Sequence, residues 1–157
     1  MEIAFLKTPL GIAEIKGDEM GLVSISILND KIEYSSNVAP SLNDAIQQLQ
    51  EYFAGERKEF QLKLNPQGTP FQKKVWKSLL EIPYGDTTSY LKLSHFLGNK
   101  KAIRAVAAAN SKNPLWIVVP CHRVIGTDGS LTGYAGGLWR KKWLLEHENP
   151  PVQTSLF

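Results

Sequence analysis

The chain is poor in sulfur and in histidine. Of its 157 residues only Cys121 is a cysteine. No internal disulfide can form, so the fold does not depend on an oxidising compartment. Its three histidines are His95, His122 and His147. One cysteine and three scattered histidines lack the paired spacing of a structural zinc site, so no metal is expected. Long hydrophobic runs are missing too: no segment approaches the ~18 apolar residues that span a bilayer. The opening MEIAFLKTPLGIAEIKG has no cationic start followed by a long apolar stretch. It is therefore not read as a secretory signal, and a cytoplasmic protein is expected. No internal repeat is present.

What is there suits a soluble globular protein. The length fits one ordinary domain or two small ones packed together. Hydrophobic residues make up 43% and charged ones 21%, which argues against wholesale disorder. Net charge is only +3, but unevenly spread. Residues 1–68 carry 6 Lys/Arg against 10 Asp/Glu, a net of −4; residues 69–157 carry 12 against 5, a net of +7. A basic half on an acidic one fits either a polyanion partner for the second half or a solvated basic surface.

The first part reads as strands. A Pro-Leu-Gly turn divides two short β-type runs. In GLVSISIL, Leu22, Ser24 and Ser26 alternate with Val23, Ile25 and Ile27, the period of a half-buried strand. Asn29-Asp30 predicts a turn into a further short strand near Ile32. Ser41 is placed to cap a helix whose apolar stripe is Leu42, Ala45, Ile46, Leu49 and Phe53, ending at Gly55. Nothing catalytic clusters here, so its expected role is structural. KLNPQGT, residues 63–69, reads as a linker. The expected division is residues 1–65, residues 66–149 and a tail, 150–157.

The second part reads mainly as helices. Thr69-Pro70 starts one, a capping hydroxyl followed by proline in the first turn. Its stripe is Phe71, Val75, Leu79 and Ile82, widened by Trp76 and Leu80. A second short helix is expected from Thr87 to Phe96, closed by Gly98. A third, NKKAIRAVAAANS, has Asn99 as its cap and Ala102, Ala105, Val106 and Ala109 on its buried stripe. Its other face carries Arg104 among Ala107, Ala108 and Ser111. Small side chains let a helix approach another surface closely. A basic, small-faced second helix fits a DNA-reading helix-turn-helix, and an alanine-rich packing helix is the alternative. A strand over Trp116–Val119, a turn at Thr127-Asp128-Gly129 and a last helix from about Leu138 to His147 complete it. The expected fold is α+β: a small antiparallel sheet with a helix, then a winged helix-turn-helix-like unit.

Cys121 sits in IVVPCHRVIG, at the end of an apolar run. A free thiol is mostly protonated at neutral pH and needs a base or a cation to become a nucleophile. His122 is adjacent, but neighbours in an extended strand point to opposite faces. The pair can cooperate only if the chain bends, which Pro120 allows, or if a water joins them. A carboxylate that fixes the imidazole tautomer would complete the relay. Glu148, Glu146 and Asp128 are the candidates. These residues alone leave open a core thiol, as in a non-catalytic DNA-binding module, and a nucleophilic cysteine, as in a cysteine hydrolase.

PCHRVIG, with Asn-Pro eight residues before the cysteine and GYAGG and WLLEHE after it, closely resembles the O6-alkylguanine-DNA alkyltransferases. The resemblance runs from residue 69 to 149 and includes FQKKVWKSLLEIPYGDTTSY and AIRAVAAANSKNP. The first half resembles that family only in size, order and style. The resemblance implies repair of O6-alkylguanine, and of O4-methylthymine, by one irreversible alkyl transfer to Cys121 from a flipped-out base. It implies His122 as the base acting through a water, Glu148 as its orienter, Tyr90 as proton donor to the purine and Asn113 as brace of the active-site turn. It puts Arg104, Ala105, Ala108, Ser111, Tyr90 and Arg123 on the minor groove of double-stranded DNA. Trp116, Pro120, Val124, Tyr134 and Ala135 would line the base pocket. No cofactor is implied, and a monomer is expected. The zinc site of some relatives cannot form, since no Cys or His precedes His95. Ala135 also lacks a hydroxyl that some relatives carry there. Finally, QTSLF, Gln153 to Phe157, resembles the short peptide that docks repair proteins on the bacterial sliding clamp.

Overall fold

The computed structural model describes residues 1–35 and 37–150. Three strands, β1 (Glu2–Thr8), β2 (Gly11–Asp18) and β3 (Gly21–Leu28), form an antiparallel sheet in the order β1-β2-β3. The register slips between Lys16 and Gly17: Lys16 faces Ser24, but Gly17 faces Leu22. Val23 is the extra residue of this bulge, which turns Leu22 to the buried side with Ile25 and Ile27. The strict alternation read from GLVSISIL therefore fails at Leu22 and Val23.

The strand expected near Ile32 does not form: Asn29 and Asp30 bend the chain and no element follows before Pro40 among the described residues. The outer edge of β3 is taken by later segments of the chain. It makes two parallel bridges, Leu22 to Leu64 and Ile25 to Leu115. Tyr34 instead lies against Phe5, ring centroids 5.6 Å apart. Ser41 does not cap the first helix either. Pro40 starts a tight 3-10 turn through Leu42, so the hydroxyl falls inside the turn rather than before it. Helix α1 (Asn43–Phe53) follows, packing Ala45, Leu49 and Tyr52 inward.

Helix α2 (Pro70–Leu79) opens as the sequence predicts. Thr69 accepts from the Gln72 amide while the Gln72 side chain accepts from the Thr69 amide, a reciprocal capping box. Val75, Trp76 and Leu79 are buried, and Phe71 and Leu80 are exposed. The second helix is shorter than expected because Thr88–Ser89 form a strand, β4, pairing in parallel with β5 (Val124–Ile125). Ser89 then caps α3 (Tyr90–Phe96) by accepting from the Lys92 amide. Asn99 caps a 3-10 turn, Lys100–Ala102, before α4 (Ile103–Ser111). That turn shifts the helix phase, so Val106, Ala109 and Asn110 face inward while Ala105, expected on the buried stripe, is exposed. The Trp76 indole locks α2 to α4 by donating to the Ala109 carbonyl at 2.8 Å. The last helix, α5 (Leu138–Glu148), closes the order. Both parts share one core cluster, from Ala4 to Leu144. No helix among the described residues is long and apolar enough to cross a membrane.

Candidate active site

The predicted strand over Trp116–Val119 is a succession of tight turns. The Val118 amide donates to the Trp116 carbonyl at 2.8 Å, closing a γ-turn about Ile117 with φ +74°. Positive φ at a β-branched residue is strained and persists only when its surroundings over-determine it. Two anchors do so. The Ile25 amide donates to the Pro114 carbonyl at 2.8 Å and Trp116 donates back to Ile25 at 3.1 Å, pinning the segment to β3. Asn113 works from inside: its Oδ1 accepts from Leu115 at 2.9 Å and its Nδ2 donates to the Val119 carbonyl at 2.8 Å. A further tight turn at Pro120, Cys121 amide to Val119 carbonyl at 2.8 Å, leads into a 3-10 turn over Cys121–Arg123. The β-favouring composition of IVV served burial rather than pairing.

Within that 3-10 turn, Cys121, His122 and Arg123 are all buried. The chain thus bends at Pro120 and Cys121, so the two neighbours are not held on opposite faces of an extended strand. His122 Nε2 meets Glu148 Oε2 at 2.7 Å. Burial opposes the ionisation of Glu148, but hydrogen bonds and charge from His122 and Arg123 prevail and hold its carboxyl at about 2. An ionised carboxylate only accepts, so the imidazole proton sits on Nε2 and Nδ1 keeps its lone pair. Nδ1 is buried and has no partner among the described residues. Burial lowers the basicity of His122, against the hydrogen bond and charge of Glu148, which raise it. Burial pushes the Cys121 thiol up to about 11, opposed by the Asn113 side chain and the charge of Lys141. The resting pair is therefore a neutral thiol beside a neutral imidazole. Neither Glu146, exposed on α5, nor Asp128, exposed in its turn, competes for the relay.

Arg123 corrects an expectation. It does not face outward for DNA. Its Nε donates to Glu148 Oε1 at 2.7 Å, its second terminal nitrogen to Oε2 at 3.1 Å, and its first to the Ile82 carbonyl at 2.6 Å. A buried carboxylate needs a paired cation, and Arg123 supplies the fork that fits it.

Arg104, Ala108 and Ser111 are exposed on α4, on the face the periodicity assigns them, and Ala105 joins them there rather than on the buried stripe. A groove of about 510 Å³ runs between Tyr90, Ile103, Arg104, Ala107, Ala108, Ser111, Thr132 and Gly133. Tyr90 closes it by donating its hydroxyl to the Thr132 carbonyl at 3.1 Å. Burial raises the Tyr90 phenol, which keeps its proton. Tyr134 is buried against Trp116, ring centroids 5.8 Å apart. A side chain at Gly136 would collide with both, its Cβ 2.7 Å from the Tyr134 ring and 3.0 Å from Trp116. Ala135 is exposed, while Pro120 and Val124 are buried around the cysteine turn.

Sequence reading missed three contributors. Lys141, hidden in the basic run RKK, is fully buried and donates to the Val124 carbonyl at 2.6 Å and the Thr132 carbonyl at 2.7 Å. Burial lowers it to about 8, and the charge of Cys121 opposes that shift. Asn110 is buried on α4 and donates to the Cys121 carbonyl at 3.4 Å. Tyr52, from α1, donates to Glu148 Oε2 at 2.6 Å. Only the recurrence of Asn110 on the inward stripe of α4 could have flagged any of them.

Fold and site together define a cysteine protein with a helix-turn-helix face beside a buried Cys-His-Glu group. Residues 70–150 match the DNA binding domain of 6-O-methylguanine DNA methyltransferase, and residues 1–66 match its ribonuclease-like domain. The methylated-DNA–protein-cysteine methyltransferase of Methanosarcina acetivorans is 47% identical over 153 residues, 94% of this chain and 98% of that protein. The constitutive methylated-DNA–protein-cysteine methyltransferase of Bacillus subtilis is 48% identical over 138 residues, 83% of this chain and 84% of that one. The crystal structure of Mycobacterium tuberculosis OGT in complex with DNA superposes with a TM-score of 0.85 at 43% identity, covering 94% of this chain and 92% of that one. The chain belongs to the 6-O-methylguanine DNA methyltransferase family.

Proposed function

We propose that the protein repairs DNA by moving an alkyl group from O6 of guanine, and from O4 of thymine, onto Cys121, once per molecule. The observation that carries this reading is the buried Cys121 in the same turn as His122, whose Nε2 is tied to Glu148 at 2.7 Å. His122 Nδ1 takes the thiol proton through a water. The thiolate attacks the alkyl carbon in line; the S–C bond forms as the C–O bond breaks. The departing base carries the electron pair, and Tyr90 donates a proton to its ring. A thioether is stable, and among the described residues no second nucleophile stands with Cys121 in its turn to release it, so one turnover follows.

The target atom lies inside the duplex, so the base must leave the stack to reach a buried thiol. The α4 face enters the minor groove, with Ala105, Ala108 and Ser111 permitting close approach and Arg104 filling the gap. Tyr134, Ala135, Trp116, Pro120 and Val124 enclose the extruded base. Residues 66–149 carry this chemistry, and residues 1–65 support it. The protein acts as a cytoplasmic monomer. Gln153–Phe157 lies outside the described residues; we read it as a sliding-clamp peptide, which unchanged clamp binding after its deletion would refute.

Base extrusion has a direct test. Arg104→Ala should slow transfer from O6-methylguanine in duplex DNA at least ~10-fold more than transfer from free O6-benzylguanine, because the free base needs no extrusion. Equal losses on both substrates would contradict the stacking role.

A further inference from the structure

The first part of the chain supplies a side chain to the relay of the second. Tyr52, on α1, is fully buried and lies 96 residues from Glu148 in sequence. Its hydroxyl donates at 2.6 Å to Glu148 Oε2. His122 Nε2 meets that same oxygen at 2.7 Å, and Arg123 reaches it at 3.1 Å. A carboxylate oxygen offers about two lone-pair sites, and here three donors share one. Negative charge drawn toward the Tyr52 hydroxyl is withheld from the imidazole.

The position of Tyr52 is set independently of its hydroxyl. Its ring packs against Phe53 at 5.3 Å, Phe60 at 5.5 Å, Tyr84 at 6.2 Å and His147 at 5.1 Å. Its backbone carbonyl pairs with His147 Nε2 at 2.7 Å. A phenylalanine would keep these contacts. Burial, then the charge and hydrogen bond of Glu148, raise the Tyr52 phenol well above its ordinary value, so it remains a donor.

We propose that Tyr52 is a positioning residue of the alkyl-transfer relay: by donating to Glu148 Oε2 it limits the basicity of His122 and so sets the pH at which His122 accepts the Cys121 proton. This rests on His122 being the base. The ionisable groups facing Tyr52 are Glu148, Arg123, Tyr84 and His147; those acting on His122 are Glu148, Arg123 and Lys141. Tyr52→Phe leaves all of them in place and removes one donor. Glu148 then pulls harder on the imidazole proton, and His122 becomes the stronger base.

A base works only when neutral, so the acid limb of the rate profile should move to higher pH. The test is the pH dependence of single-turnover methyl transfer by wild type, Tyr52→Phe and His122→Gln, with the His122 imidazole titrated by NMR in the first two. For Tyr52→Phe we expect the acid limb and the His122 titration both to rise by roughly 0.5–1 pH unit. Tyr52→3-fluorotyrosine, a stronger donor of the same shape, should move both the other way. Unmoved limbs in variants that still transfer would overturn the inference. A wild type that transfers nothing, or an acid limb that survives in His122→Gln, would overturn the reading of His122 and this inference with it.

Discussion

His122→Ala should slow methyl transfer to Cys121 by about 10²–10⁴-fold, the usual loss of a positioned general base. The thiol is held at about 11 by burial, so at neutral pH almost none of it ionises unaided. On the proposed reading the base is His122 Nδ1, whose lone pair is left free because Glu148 claims the proton on Nε2 at 2.7 Å. The residual rate of the variant should rise with pH, since hydroxide then does what the imidazole did. Affinity for DNA should not change, because His122 is fully buried and the exposed face of α4 is untouched. Stopped transfer assays across pH, with binding measured separately, check both halves. A variant with wild-type rates at neutral pH would remove His122 from the chemistry.

Glu148→Ala should lower stability by about 3–5 kcal/mol, because it leaves a buried cation without its counter-ion. Arg123, His122 and Tyr52 all donate to this one carboxylate. For a chain of this length that cost corresponds to a Tm roughly 6–20 °C lower. Glu148→Gln tests the charge itself. The folded carboxyl titrates at about 2 against an ordinary value of 4.5. A depressed folded value adds stability that is fully present above the ordinary value and is lost as pH falls toward the folded one. Between those limits wild type should lose more stability than Glu148→Gln. Parallel denaturation curves for the two across that range would show that the buried pair contributes no net charge stabilisation.

Much of this molecule was legible because its signals are local. Thr69 and Pro70 mark a helix start in two adjacent residues. The lone arginine among small residues marks the exposed face of α4. Cys121, His122 and Glu148 came with their flanking motifs. What stayed hidden depends on partners far along the chain. The β-rich IVV run looks like a strand, and only the anchors at Ile25 and Asn113 turn it into a strained loop. Arg123 and Lys141 look like surface cations, since nothing beside them reveals Glu148 or the Val124 and Thr132 carbonyls. Tyr52 sits in an unremarkable amphipathic helix, and its role exists only once α1 and α5 meet. Polar groups committed to distant partners leave no period in the sequence, whereas caps and apolar stripes do.

Alkyl transfer to Cys121 is tested most directly by intact-mass analysis after incubation with a duplex oligonucleotide carrying one O6-methylguanine. The expected result is a gain of one methyl group, mapped by peptide sequencing to Cys121, saturating at one per protein and absent in Cys121→Ala. DNA binding with no mass gain, or a gain on another residue, would contradict it.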